Sequence, residues 1–213
     1  MKQLPLLLVL AFVFSLCNLS GKLKQSLESN TNTGSNPASS SGTTGDANVE
    51  HPQPTAAQKA ALEGGQQVSW EKQAMSWTLP AKWSRTTDEA KTFVWRSPGG
   101  ADAASLIVSI SPMDEKFPTE VSLKAFYDSS QSRAKNGEVD EVKWLELDGV
   151  KGVEFREANP DKPDDARRLQ WIAYRDVAGQ KQMVNLMLAA SGKDFPRHQD
   201  TMYAILYSTK LAH

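Results

Sequence analysis

One hairpin near the C-terminus restricts what this chain can fold into, because both of its strands are apolar on both faces. Leu169, Trp171 and Ala173 alternate with Ile172 and Tyr174. After a turn at Val177-Ala178-Gly179, Val184, Leu186 and Leu188 alternate with Met183, Met187 and Ala189. Successive side chains of a strand point to opposite faces, so strands of this kind need cover on both sides. The expected fold is therefore α+β: an antiparallel β-sheet sandwiched by helices, an α/β/α arrangement. Asn185, between apolar neighbours in the second strand, is expected to satisfy a backbone group.

The rest of the C-terminal two thirds supplies the pieces. Val68 to Trp70 and Met75 to Leu79 read as strands, one-sided enough to lie near the sheet edges. Thr92 to Arg96 and Ala104 to Ser111 are strands separated by Pro98-Gly99-Gly100. A helix follows, with Thr119 as its expected N-cap and Leu123, Phe126, Tyr127, Ser130 and Ala134 on one face, stopped by Asn136-Gly137. Asp148-Gly149 is a two-residue turn signal between Val139 to Leu147 and Val150 to Glu157. A closing helix from about Pro196 to Tyr207 turns Met202, Ile205 and Leu206 inward.

Upstream the character changes. Met1-Lys2 precedes an apolar run from Leu4 to Leu16, shorter than the roughly 20 residues a membrane span needs. Cys17, the only cysteine, ends that run. An apolar leader, a cysteine and a polar stretch in that order describe an exported, lipid-anchored protein, with Cys17 as the lipid attachment site. Leu16 is bulky where such signals place a small residue, so ordinary cleavage between Cys17 and Gly21, and an uncleaved anchor, are alternatives. Residues 18–54 are rich in Ser, Thr, Asn and Gly and contain no aromatic side chain, the composition of a flexible tether. A coil of that length spans roughly 30–35 Å. Thr55 to Leu62 is expected to add a short helix. The layout is thus a signal peptide over 1–17, a linker over 18–65 and a folded domain over 66–213.

Composition and motifs bound the chemistry. A net charge of −1 lacks the basic footprint of a nucleic-acid binder. One cysteine precludes an internal disulfide framework. Of three histidines, only His198 lies on an expected element of the domain, and no G-x-S-x-G elbow accompanies it. Asp161, Asp164 and Asp165 cluster in a loop beside Lys162, Arg167 and Arg168, where local ion pairing competes with Ca²⁺ binding. Glu154, Glu157 and Asp176 would do acid–base work only if a cleft brought them together. Neither a cofactor nor a metal site is expected. Most tryptophans fall on strands, whereas Trp83 and Trp95, near loops, are candidates for a binding surface as well as for the core.

The residues Met75-Ser76-Trp77-Thr78-Leu79-Pro80 with Trp83, the Leu145 to Val150 hairpin turn, the last hairpin and Tyr203 to Thr209 resemble the PsbP-like superfamily. That superfamily also holds DcrB-like lipoproteins and Mog-type Ran-binding proteins. The resemblance implies an antiparallel sheet between helices and an accessory or binding role without catalysis. The expectation is a periplasmic or cell-surface domain, held to the membrane through an N-terminal lipid, that acts on an envelope or membrane protein. The alternative is a small hydrolase or ligand-binding enzyme using His198 or the Asp161–Asp165 loop.

Overall fold

The computed structural model describes residues 49–211. Its main sheet has eight strands: β1 (Val49–Glu50), β4 (Ser84–Asp88), β5 (Thr92–Arg96), β6 (Ser105–Pro112), β7 (Val139–Leu147), β8 (Val150–Glu157), β9 (Ala166–Val177) and β10 (Gln180–Ser191). Their spatial order is β1-β7-β8-β9-β10-β6-β5-β4. Neighbours pair antiparallel except β1 and β7, which run parallel, so the sheet is mixed by that one contact.

Strands β2 (Gln66–Trp70) and β3 (Met75–Leu79) do not extend this sheet, as their sequence had suggested. With β11 (Lys210–Leu211) they form a separate three-stranded sheet in the order β11-β3-β2. The reason is their one-sidedness. Val68, Trp70, Met75, Trp77 and Leu79 enter one core while the alternate residues stay outside it.

Among the described residues three α-helices complete the fold: α1 (Ala56–Ala60), α2 (Thr119–Lys135) and α3 (Phe195–Tyr207). One face of the main sheet packs on α3 and the small sheet, around Trp171, Leu169, Leu186, Leu188, Phe195 and Ile205. The other face packs on α2 through Leu123, Val153, Phe155 and Ile172. This is the two-sided cover that the apolar hairpin requires. Asn185 does not bond to backbone. On the α2 face its Oδ1 accepts from Gln170 Nε2 at 2.8 Å.

Local sequence explains the boundaries. Thr55 caps α1 in a capping box with Gln58. Thr119 is the first residue of α2 and not its cap; Pro118 holds that position, and its carbonyl accepts from Ser122 N at 3.0 Å. Asp148 (φ 48°) and Gly149 (φ 82°) form the β7–β8 turn, and Ala178 (φ 50°) and Gly179 (φ 78°) form the β9–β10 turn. Paired positive φ values are those of a type I′ turn, whose twist suits a hairpin. The ordered fold also begins earlier than residue 66. Val49 and Glu50 pair with Trp144 and Leu145, so this part of the expected linker belongs to the sheet.

Candidate functional site

The α3-facing side of β7 and β8 starts apolar and ends charged. On β7, Leu147 and Leu145 give way to Lys143 and Glu141; on β8, Val150 and Gly152 give way to Glu154 and Arg156. Antiparallel register sets Lys143 opposite Glu154 and Glu141 opposite Arg156. On its other flank Glu154 lies opposite Trp171 of β9. Helix α3 covers the group with Tyr203 and Tyr207, and Glu154 is left with 0% exposure.

The contacts form one network. Lys143 Nζ stands 2.9 Å from Glu141 Oε1, 3.3 Å from Glu154 Oε2 and 3.5 Å from Glu50 Oε2. The Tyr203 hydroxyl donates to Glu141 Oε2 at 2.9 Å and lies 3.4 Å from Glu154 Oε1. It accepts from Arg156 Nη1 at 3.1 Å, and that same nitrogen stands 3.1 Å from Glu141 Oε2. Arg156 Nε is 3.9 Å from Asp140, which also pairs with Arg167. The Arg167 guanidinium sits 4.5 Å over the Phe195 ring. At the sheet edge, His51 Nδ1 is 3.5 Å from Glu146.

Burial decides the protonation chemistry. Taking the Glu154 carboxylate out of water raises its pKa; Lys143 works in the opposite direction, Glu141 and Glu50 reinforce the rise, and the value reaches about 7. Burial also opposes the charge on Lys143, but Glu154 and Glu141 outweigh it and its pKa is raised. Glu141 is pulled below the ordinary carboxylate value: burial pushes it up, and its bonds and charge contacts to Lys143, Tyr203 and Arg156 overcome that. Burial, together with the nearby carboxylates, raises both Tyr203 and Tyr207. The cluster therefore carries one carboxyl group poised to gain or lose a proton near neutral pH. It is enclosed by the sheet and by α3.

Apart from Glu154, the residues singled out from sequence fall elsewhere. Trp83 is 5% exposed and belongs to the core, which corrects its candidacy as a surface anchor. Trp95 is half-buried on β5, against the same core, and its register partner is Arg85 of β4. His198 Nε2 lies 3.1 Å from the Asp102 carbonyl and accepts from Arg197 Nε at 3.3 Å. Asp164 pairs with Lys193 at 2.7 Å. Among the described residues, no group of three or more His, Cys, Asp or Glu side chains converges in a way that would hold a metal ion. Glu157 pairs with Arg168 and Arg133, and Asp176 with Lys181, both away from Glu154. Cys17 lies outside the described residues.

Of the three carboxylates that sequence offered for acid–base work, only Glu154 lies in this cluster, and its burial was not legible there. The alternation Val150, Gly152, Glu154, Arg156 reads as a face turning toward solvent. Only the tyrosines at 203 and 207, four apart on α3, hint that a polar group lies beneath that helix.

No family model matches the chain, and no curated protein matches it. Solved structures similar to it include LpqN of Mycobacterium tuberculosis, described as involved in cell envelope biogenesis, at 10% identity and a TM-score of 0.47, covering 65% of this chain and 83% of that one. The cyanobacterial PsbP (CyanoP) of Synechocystis sp. PCC 6803 is 15% identical with a TM-score of 0.45, over 83% of this chain and all of that one. The Ran-binding protein Mog1p of Saccharomyces cerevisiae is 10% identical with a TM-score of 0.42, over 69% and 95%. These include the PsbP and Mog proteins that the sequence resemblance named. The chain also spans 46% of the length of a Bacteroides thetaiotaomicron protein of similar structure.

Proposed function

We propose that this chain is an exported, lipid-anchored accessory domain that binds an envelope or membrane protein and catalyses no reaction. The observation that carries this reading is the place where the polar segment joins the fold. That segment follows Cys17 and runs into β1, at one edge of the main sheet. The opposite edge is β4, seven strand spacings away, or about 34 Å at the usual spacing between strands. Among the described residues β4 pairs only with β5. A strand edge of this kind offers backbone donors and acceptors to an incoming segment. Ser69, Glu71, Lys72, Arg85 and Asp88 line a shallow polar depression of about 200 Å³ beside it. Trp95, opposite Arg85 in register, is half-buried against the core on the neighbouring strand. Among the described residues no helix is long and apolar enough to cross a membrane. Attachment in this reading falls to Cys17. Two or more acyl chains there give stable anchoring, because each buried methylene contributes about 0.8 kcal/mol.

The test has two arms. Mass measurement of the N-terminal peptide of the membrane-extracted protein is expected to show a diacyl or triacyl Cys17; an unmodified peptide beginning after Cys17 defeats the anchor. Crosslinking of the intact tethered form in membranes is expected to trap one envelope protein with wild type and to lose it with Arg85→Glu. Capture that is indifferent to that change defeats the β4 surface.

A further inference from the structure

We propose that docking of strand β1 on β7, where the polar segment joins the fold, is linked to proton uptake by Glu154: protonation tightens the strand and ionisation loosens it. The geometry that carries this is a lysine shared by three carboxylates. Lys143 Nζ is 2.9 Å from Glu141, 3.3 Å from Glu154 and 3.5 Å from Glu50, and Glu50 is one of the two residues of β1. Glu154 is wholly buried, whereas the Glu50 side chain is 60% exposed. One ammonium cannot neutralise both, and the buried carboxylate has no water to fall back on.

The charges around Glu154 can be followed element by element. Strand β7 contributes Lys143 and Glu141, with Asp140 beyond them; β8 contributes Arg156, β9 Arg167, β1 Glu50, and α3 the phenols Tyr203 and Tyr207. With Glu154 ionised, the carboxylates of Glu50, Asp140, Glu141 and Glu154 face the cations of Lys143, Arg156 and Arg167. With Glu154 protonated the two signs balance, and Lys143 is left to Glu141 and Glu50. Glu50 is among the groups that raise the proton affinity of Glu154. Coupling free energies are reciprocal, so a proton on Glu154 must strengthen the hold on the strand that carries Glu50. The adjacent His51 Nδ1 stands 3.5 Å from Glu146, so His51 is the neighbouring contact that the test must separate from Glu154.

Hydrogen–deuterium exchange of the full chain, corrected for intrinsic exchange rates, tests the linkage on the amides of residues 49–51. Protection in wild type is expected to fall by about threefold between about pH 5.5 and about pH 8.5, the scale of a partly exposed ion pair. The fall should persist in His51→Gln and disappear in Glu154→Gln. Protection that is flat in wild type, or a pH dependence lost in His51→Gln and kept in Glu154→Gln, overturns the proposal. Glu50→Gln tests it from the exposed side of the pair without disturbing the core. There the pH midpoint of Glu154, followed by carboxyl NMR, should move down, and an unmoved midpoint also overturns the proposal.

Discussion

The indole of Trp171 lies across Gly152. A β-carbon on Gly152 would stand 2.4 Å from Trp171 Nε1 and 2.5 Å from its Cε2. The same Nε1 donates to the Leu145 carbonyl at 3.0 Å, so one ring joins β7, β8 and β9 through a gap that only glycine leaves open. Gly152→Ala must displace the ring or part the strands. Its expected cost is about 1–3 kcal/mol in urea or guanidinium unfolding, in the range of overpacked cores. A loss too small to resolve would contradict this packing.

Two buried tryptophans should respond differently to the same change. Trp77 stacks on Phe93 with ring centroids 5.5 Å apart, and its Nε1 is buried without a hydrogen-bond partner. Trp171 has the bond to Leu145. Trp→Phe removes similar volume from each site. At position 171 it also removes the hydrogen bond to the Leu145 carbonyl, whereas at position 77 it removes an unpaired donor. Trp171→Phe should therefore cost about 1–2 kcal/mol more than Trp77→Phe by denaturant titration.

Asp148 holds the end of the fold from a hairpin turn. At φ 48° it accepts from Leu211 N at 2.8 Å through Oδ2 and pairs with Lys210 Nζ at 2.9 Å through Oδ1. Asp148→Ala should loosen β11, losing those bonds while keeping the β-carbon in the left-handed region. Asp148→Gly relieves the strain and loses only the bonds. Exchange protection at Leu211 is expected to drop in both, while global stability falls further in the alanine variant, by about 1 kcal/mol.

Glu154 sets a pH dependence of stability. Burial raises its folded-state pKa to about 7, against about 4.3 in an unfolded chain. The unfolded chain therefore loses this proton first as pH rises. The stability attached to Glu154 is complete below about pH 4, declines through the interval and is gone above about pH 7. The swing is roughly 4 kcal/mol. Glu154→Gln should abolish this part of the profile in unfolding experiments run from about pH 4.5 to about pH 8. An unchanged slope would refute it.

Arg175 is a second buried charge, and among the described residues no carboxylate pairs with it. Its Nη2 donates to the Gln73 carbonyl at 2.6 Å and lies 3.4 Å from Gln182 Oε1, while Nε and Nη1 have no partner. Burial lowers its pKa. Because desolvation is so poorly offset, Arg175→Met should leave stability within about 1 kcal/mol of wild type or raise it, as thermal melts would register. A loss of several kcal/mol would mean that the single carbonyl bond outweighs the burial of the charge.

Sequence alone determined the elements whose evidence is local. The two-sided apolar hairpin from Leu169 to Ala190 demanded cover on both faces, and α2 and α3 supply it. Asp148-Gly149 announced its turn because few residue pairs adopt two positive φ values cheaply. Tertiary structure decided what depends on distant partners. Trp83, near a loop, was open to either a surface or a core role until the core closed around it. Strands β2 and β3 had the pattern of edge strands, but pattern does not name a sheet, and they built their own with β11. Glu154 sits in an alternation that reads as solvent-facing. Its burial comes from Tyr203 and Tyr207, about fifty residues further along the chain. Periodicity reports which residues share a face; only the packed fold reports whether that face meets water, and the protonation of Glu154 follows from that.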